Sequence, residues 1–138
     1  MKKLIIPFVL CIGIAFTSCE RVEEFNLSVV SVWINPQYNN DSIITFERSN
    51  KFPENDYGIE MKANGILKER KNIGWCGTPP VAYGDYNGTW NIKDSIIYIK
   101  APFWGGEETK EWKIISINDE KLIVKQLKME YKYTNYTR

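Results

Sequence analysis

The stretch that decides the fold is residues 57–72, which read YGIEMKANGILKERKN. Two short segments of mixed apolar and charged residues flank Asn64 and Gly65. Both of these residues tolerate the positive φ angles that a two-residue hairpin turn requires. The stretch therefore predicts a β-hairpin with strands at residues 57–63 and 66–72.

The same strand-and-turn pattern continues on both sides of this hairpin. From residue 27 onward, short runs rich in Val, Ile, Thr, Tyr and Trp alternate with Asn, Asp, Gly and Pro. We predict strands at residues 27–34, 42–48, 57–63, 66–72, 86–93, 95–100, 109–117 and 121–133. Eight strands in a chain of this length indicate a barrel or a sandwich. Because tight turns at 93–94 and 118–120 join further neighbours, we expect an all-β fold: one small antiparallel barrel, mostly up-and-down, with little helix.

The first 19 residues have the layout of an export signal. Lys2 and Lys3 precede an uncharged, mostly apolar run at residues 4–16, which is shorter than the roughly 20 residues that span a bilayer as a helix. Residues 16–19, Phe-Thr-Ser-Cys, resemble the lipobox of bacterial lipoproteins, in which the cysteine is acylated and becomes the new N-terminus. An ordinary signal peptide followed by a chance cysteine is the alternative interpretation.

The lipobox interpretation divides the chain into three parts. We expect a lipoprotein signal peptide at residues 1–18, a lipidated tether at 19–26 and the barrel domain at 27–138. Acyl chains such as palmitate on Cys19 would then anchor the protein in the outer membrane of the cell envelope, because two or more chains give stable anchoring.

Charge and cysteine content exclude several classes of function and covalent structure. Loss of residues 1–18 leaves one more acidic than basic side chain, so the charge balance does not favour nucleic acid as a partner. Cys76 is the single cysteine of the barrel domain, so no disulfide can form within that domain. We expect the Cys76 thiol to be buried or half-buried. Flanked by Gly77 and two prolines, it indicates a rigid connection rather than a nucleophile, and either X-Pro bond there can adopt the cis form.

The chain contains no histidine. This absence excludes histidine-based hydrolase triads and leaves a zinc site with carboxylates alone, while no loop matches a calcium-binding motif. We therefore expect no enzymatic activity, no metal and no cofactor. The acidic pairs Glu107-Glu108 and Asp119-Glu120 are expected to be solvated, and neighbouring strand residues face opposite sides, so they do not form an acid/base pair.

Aromatic residues are concentrated between residues 75 and 112. An eight-stranded barrel is just wide enough to be filled by side chains or to hold one small ligand. We expect Trp90 and Trp112 to fill the core, although Trp90 remains a candidate ligand contact. The other candidate contacts for a ligand or a partner are Trp75, Tyr83 and Trp104. Trp104 lies in a predicted loop beside two glycines and is the best candidate for a contact at the rim.

Four motifs stand out along the chain: residues 57–65 (YGIEMKANG), 74–80 (GWCGTPP), 88–90 (GTW) and 104–106 (WGG). Together they resemble the small lipocalin-like lipoproteins of Bacteroidetes-type bacteria. The resemblance implies a compact antiparallel barrel of the calycin type. In true lipocalins the Gly-x-Trp motif lies on the first strand, whereas residues 88–90 lie past the middle of this chain. In addition, Asp41-Ser42-Ile43 and Asp94-Ser95-Ile96 resemble the acceptor of Bacteroidetes O-glycosylation, so Ser42 and Ser95 are candidate modification sites.

Two hypotheses for function follow from these observations. The first is a non-enzymatic envelope lipoprotein that binds a small apolar or amphipathic ligand in or at the mouth of its barrel. The second is a protein- or glycan-interaction module that uses aromatic loops in front of a solid core. Burial of both Trp104 and Tyr83 would contradict the second hypothesis. In either case we expect a monomer that contacts the membrane through Cys19.

Overall fold

The fold consists of eight antiparallel β-strands in the computed structural model, which describes residues 28–39, 42–74 and 76–134. The strands are β1 Ser31–Asn39, β2 Ile43–Ser49, β3 Gly58–Met61, β4 Ile66–Asn72, β5 Tyr83–Lys93, β6 Ile96–Phe103, β7 Gly106–Ile117 and β8 Lys121–Tyr133. They close into one barrel in the order β1-β2-β8-β7-β6-β5-β4-β3. The predicted all-β barrel of about eight strands is confirmed.

Six consecutive strands, β3 to β8, form an up-and-down meander in which each strand pairs with the next. The β1–β2 hairpin closes the barrel with its strands exchanged, because β1 pairs with β3 and β2 pairs with β8. The connection from β2 to β3 carries Phe52, which lies against the outer wall of β4. The centre of its ring is 5.1 Å from Lys68 Nζ and 5.0 Å from the Arg70 guanidinium. The topology is mostly up-and-down, as predicted, with this one exchange.

β1 differs most from its predicted position. It runs from Ser31 to Asn39 and includes Pro36, whereas the sequence predicts a strand at residues 27–34. Its pairing with β2 shifts register between Ile34 and Gln37, and Asn35 there has a φ of 51°. A β-bulge of this kind accommodates proline, which lacks the N–H that a regular ladder requires. The strand therefore continues past the residues that were expected to end it.

Three of the hairpin turns, β3–β4, β5–β6 and β7–β8, lie together at one end of the barrel. At the β3–β4 turn only Gly65 has a positive φ, 80°, and its N–H donates to the Lys62 carbonyl at 3.1 Å. The turn in which both residues have positive φ is instead Asp94-Ser95, with φ values of 53° and 63°, between β5 and β6. The hairpin predicted at Asn64-Gly65 is present, but its turn differs from the two-residue type expected there.

Apolar side chains fill the barrel from this end to about its middle. The buried members of this core include Trp33, Ile44, Phe46, Ile59, Met61, Leu67, Trp90, Ile97, Ile99, Trp112, Ile114, Leu122 and Val124. Trp33 Nε1 donates to the Val29 carbonyl at 2.9 Å, and the Arg48 guanidinium lies 4.4 Å from the centre of the Trp33 ring. We call this end the closed end. Within the described residues, α-helix is confined to Ser28 and Val29, and no helix is long and apolar enough to cross a bilayer.

Candidate functional site

The opposite end of the barrel, which we call the mouth, is open. Met129, Tyr131 and Tyr133 of β8 are 37%, 49% and 61% exposed. Met129 lies opposite Lys110 of β7, and Tyr131 lies opposite Glu108, and both of these β7 residues are buried inside the barrel. Residues directly opposite each other on paired strands share a face of the sheet. The three β8 side chains therefore face the inside of the barrel and are nevertheless exposed, so the lumen is open at this end.

Four charged side chains lie together inside the barrel below the mouth, and we call them the charge cluster. Glu69 and Lys71 come from β4, and Glu108 and Lys110 come from β7. Each pair continues the inward-facing series of its strand, because side chains two residues apart share a face. Glu69, Glu108 and Lys110 are buried, and the Lys71 side chain is 13% exposed. The lumen thus changes from apolar to ionic near its middle.

Each lysine of the charge cluster bridges both carboxylates. Lys110 Nζ lies 2.5 Å from Glu69 Oε1 and 2.8 Å from Glu108 Oε1. Lys71 Nζ lies 2.8 Å from Glu69 Oε2 and 2.5 Å from Glu108 Oε1. The Tyr57 hydroxyl donates a further hydrogen bond to Glu69 Oε1 at 2.6 Å. Because burying an unpaired ion costs several kcal/mol, this reciprocal pairing is what allows two acids and two bases to occupy the lumen.

Glu69, Lys110 and Tyr57 have pKa values shifted by burial and by their charged neighbours. Burial alone would raise the pKa of Glu69, but Lys110 and Lys71 outweigh burial and lower that pKa to about 2. Burial alone would lower the pKa of Lys110, but Glu69 and Glu108 raise it above 10.5. Burial and the Glu69 carboxylate raise the pKa of Tyr57 well above 10. None of these three groups titrates near pH 7, where a general acid or base would need its pKa.

An aromatic group lies at the rim of the mouth. Phe103 is at its centre, with ring centroids 5.7 Å from Trp104 and 5.3 Å from both Tyr131 and Tyr133, all three in edge-to-face contact. Such contacts are favourable because the positive edge of one ring meets the negative face of another. We call these four residues the rim aromatics. Phe103 is buried, whereas Trp104 is 43% exposed, so the group presents aromatic surface to solvent.

The sequence of this barrel matches a known family over most of its strands. The model of the lipocalin-like domain family matches residues 31–124. The chain belongs to the lipocalin-like domain family. Lipocalin-like domains are generally binding proteins without enzymatic activity. Comparison with curated proteins and with solved structures gives no significant match.

The predicted contact residues of this lipocalin-like barrel lie at both ends. Trp104 lies at the rim, and Tyr83 starts β5 at the same end, where it is half-buried. A binding role for either residue stays a prediction. Trp90 lies in the core, and its Nε1 donates to the Lys62 carbonyl at the closed end, at 2.9 Å. The structure therefore brings Trp104 and Tyr83 to one end and separates them from Trp90. Trp75 lies outside the described residues, as does Cys19.

The prediction that Cys76 is buried or half-buried is wrong. Its thiol is exposed, in the loop between β4 and β5 at the mouth, and hydrogen bonds with Thr78 lower its pKa. The loop is held through its backbone, since the Asn72 side chain donates to the Cys76 carbonyl at 3.1 Å. The Pro79-Pro80 bond is cis. A short apolar side chain in a surface loop of this length has no core to enter, whatever its preference for burial.

The two candidate O-glycosylation sites lie at opposite ends of the barrel. Ser42 is exposed immediately before β2, near the mouth, and has a φ of 65°. Ser95 is half-buried in the β5–β6 turn at the closed end, and its carbonyl accepts a hydrogen bond from the Ile114 N–H. Both serines precede a strand in a left-handed backbone conformation, and modification of either stays a prediction.

The expectation that Glu108 is solvated is also wrong, because Glu108 is only 3% exposed. Its neighbour Glu107 does face outward and pairs with Lys100 at 3.1 Å, so the two acids point to opposite sides as predicted. Asp119 and Glu120 are exposed, in agreement with the expectation for that pair. Within the described part of the chain, no three Cys, Asp or Glu side chains come together as a metal site.

The sequence contains a pattern from which the charge cluster could have been predicted. On β4, Glu69 and Lys71 follow the core residue Leu67 at a spacing of two, and on β7 Glu108 and Lys110 precede a core tryptophan at the same spacing. Continued alternation places all four inside the barrel. Two acids and two bases at such positions on separate strands would have indicated a paired ionic group, because unpaired buried ions are rare.

Proposed function

We propose that the mouth of the barrel binds a small amphipathic molecule. Its apolar part would contact the rim aromatics, and its polar part would face the charge cluster. The observation that carries this proposal is that Tyr131 and Tyr133 face the inside of the barrel and are still exposed. A concave, aromatic-lined opening with a few polar groups at its base is typical of small-molecule sites in proteins.

The filled core limits how deeply such a ligand enters. Phe46 and Trp112 pack with ring centroids 5.3 Å apart, and Lys110 Nζ lies 5.8 Å from the Trp112 ring. Close-packed side chains of this kind leave no room for a ligand below the charge cluster. The bound molecule would therefore occupy the outer part of the barrel and extend to the rim.

The charge cluster also favours one class of polar head. Its two carboxylates and two ammonium groups balance, so a head with a net charge would find no net opposite charge there. Burying an uncompensated charge is costly, whereas hydroxyl groups or a zwitterion can pair locally with both kinds of group. We therefore propose that the ligand carries an uncharged polar or a zwitterionic head.

The test uses four detergents with the same dodecyl chain, below their critical micelle concentrations. Isothermal titration calorimetry should show that the maltoside and the phosphocholine bind more tightly than the sulfate and the trimethylammonium. Trp104→Ala and Tyr133→Ala should each weaken binding about tenfold, a typical loss for an exposed aromatic contact. Tyr98→Ala is the matched control, since Tyr98 lies opposite Glu111 on the outer wall.

Two results would count against the proposal in different ways. If none of the four detergents binds, the proposed site is excluded. If all four bind with equal affinity, a role for the charge cluster in selecting the polar head is excluded. Native mass spectrometry of the protein purified from its own host would then identify a retained natural ligand by its mass.

A protein or glycan partner that contacts the rim is the second candidate. It is favoured by the 43% exposure of Trp104 at the same end as the half-buried Tyr83, in front of a filled core. The same native mass spectrum distinguishes the two candidates. A retained molecule of a few hundred daltons supports the first, and a retained macromolecule or oligosaccharide supports the second.

We also propose that the chain is exported and anchored by lipid on Cys19. The lipobox-like residues 16–19 support this, and the described chain enters the barrel at the closed end through Val29 and Trp33. The nine residues 19–27 can extend about 30 Å, so the anchor would join the barrel opposite the mouth and leave the mouth free.

The anchor is tested with an alkyne analogue of palmitate in the native host. Label should enter the unmodified chain and the control Cys76→Ala, but not Cys19→Ala, which should also lose its partition into detergent. Label that persists in Cys19→Ala would show that another residue carries the lipid, and a chain without label would contradict the anchor.

A further inference from the structure

The outer part of β8 has an unpaired edge. β2 pairs with β8 only between Ile43–Glu47 and Lys121–Lys125. Beyond that point, Gln126 and residues 128–133 pair with β7 alone among the strands that the structure describes. An exposed strand edge of this length is a template for pairing with another strand. We call residues 128–134 the free edge.

The backbone of the free edge shows which residues can pair. The Thr134 N–H donates to the Gly105 carbonyl at 2.9 Å. Opposed residues in an antiparallel ladder alternate between pairs that are hydrogen-bonded to each other and pairs that are not. The even-numbered residues from 134 back to 128 therefore direct their backbone groups at β7. The odd-numbered residues direct their N–H and C=O groups at the unpaired side, and these are Met129, Tyr131 and Tyr133.

We propose that two copies of this chain associate by pairing their free edges, antiparallel about a two-fold axis at Tyr131. In this register Tyr131 lies opposite its own counterpart, and Met129 lies opposite Tyr133 of the second copy. Each of these opposed pairs can exchange two backbone hydrogen bonds, because each consists of residues whose groups face the unpaired side. The inward-facing side chains of the two edges then lie side by side.

The charged side chains of the free edge fit the same register. Glu130 lies opposite Lys132 of the second copy, and the two-fold axis generates this pair twice. A register centred on Glu130 would oppose Glu130 to its counterpart and Lys128 to Lys132, so it would place like charges opposite one another. A register centred on Met129 would include Leu127, which has no opposed residue in β7 because the ladder shifts there. Cross-strand pairs of opposite charge stabilise a sheet and like charges destabilise it.

The proposed association uses a short edge and therefore a small interface. Interfaces of this size support transient rather than permanent dimers, so the dimer fraction should rise with protein concentration. The two closed ends would point away from each other, because the paired strands are antiparallel. A chain that stays monomeric at all protein concentrations, as the sequence predicts, would contradict this proposal.

Disulfide trapping of the full chain tests the pairing directly. The background carries Cys11→Ser, Cys19→Ser and Cys76→Ser, which removes every native thiol, including the exposed Cys76. Adding Tyr131→Cys should give a covalent dimer under mild oxidation, because opposed hydrogen-bonded residues have Cα atoms about 5.5 Å apart, within disulfide range. Ile115→Cys is the control, since Ile115 is 53% exposed on β7 and is not on the free edge. A yield for Tyr131→Cys no greater than for this control would overturn the proposal.

Exchanging the charges of Glu130 and Lys132 tests the register of the proposed pairing. In the trapping background, Glu130→Lys and Lys132→Glu should each reduce the dimer yield at least severalfold, because each places like charges opposite one another. The combination of both should restore the yield, since it recreates the opposite-charge pairs in reverse order. Circular dichroism of each variant checks that the barrel is intact. If the yield fails to recover in a folded double variant, the proposed pairing of the two free edges about Tyr131 is excluded.

Discussion

The closed end and the mouth of this barrel stabilise their interiors in different ways. At the closed end, tight turns and a tryptophan-rich core remove apolar surface from water, with Arg48 stacked over Trp33. At the mouth, the same inward-facing strand positions hold Glu69, Glu108 and Lys110, followed by exposed tyrosines. Apolar burial is favourable wherever side chains fit, whereas buried ions are tolerated only when fully paired. The closed end is therefore held by apolar packing and the interior of the mouth by ion pairing, and the proposed binding site lies at the mouth.

The largest effect is expected from breaking the charge cluster. Lys110→Met keeps a side chain of similar length but leaves Glu69 and Glu108 to share Lys71. Removing one partner of a buried ionic group costs about 3–5 kcal/mol. Urea unfolding at pH 7 should show a loss of this size. Lys128→Met is the matched control, because Lys128 is exposed and its pair with Glu130 is worth less than about 1 kcal/mol. Equal losses in both variants would mean that the cluster contributes no more than a surface pair.

The second prediction concerns the loss of folding stability at acid pH. The pKa of Glu69 is about 2 in the folded chain against an ordinary value of 4.5. A lowered folded pKa contributes stability that is complete above pH 4.5 and is lost as the pH falls from 4.5 towards 2, about 3 kcal/mol in all. Urea unfolding between pH 7 and pH 2 measures this loss.

Two variants separate the contribution of the charge cluster to acid sensitivity from that of the outer wall. In Glu69→Gln, the free energy of unfolding should be lower at pH 7 than in the unmodified chain, and it should fall less as the pH drops from 4.5 to 2. Asp85 also has its pKa lowered to about 2, by hydrogen bonds from Arg70 and Lys68, but it lies on the outer wall, where solvent screens the pairs. Asp85→Asn should therefore preserve most of the acid limb. If the free energy of unfolding depends less on pH in Asp85→Asn than in Glu69→Gln, the acid sensitivity arises from the outer wall and not from the charge cluster.

The third and smallest of the predicted losses of stability concerns Trp33 at the closed end, with Trp104→Phe at the rim as its control. Trp33→Phe keeps an aromatic ring under Arg48 but removes the Nε1 hydrogen bond to the Val29 carbonyl. Leaving that buried carbonyl without its donor costs about 1–3 kcal/mol, and the loss should be the same at pH 4 and pH 7. Trp104→Phe at the rim should change stability by less than about 0.5 kcal/mol. A pH-dependent loss in Trp33→Phe would show that the two ends are coupled.

Strand identity was largely predictable because it depends on local patterns. The hairpin around Asn64 and Gly65, and the strands on both sides of Asp94-Ser95, follow from short apolar runs bounded by turn residues. The interior of the mouth was not predicted, although its residues lie on predicted strands. Glu108 and Lys110 on β7 look like ordinary surface residues until they are seen opposite Glu69 and Lys71, since only pairing makes their burial tolerable.

The sequence by itself determined an all-β chain of eight strands and the absence of histidine chemistry, whereas export and lipid attachment stay predictions from residues 1–19. Only the tertiary structure decided that β1 and β2 exchange places and that one end of the lumen is filled while the other is open and ionic. The physical reason is that turn chemistry and side-chain alternation act within a few residues. The neutralisation of a buried charge and the closure of a barrel depend instead on residues that are distant in the chain, such as Glu69 and Lys110.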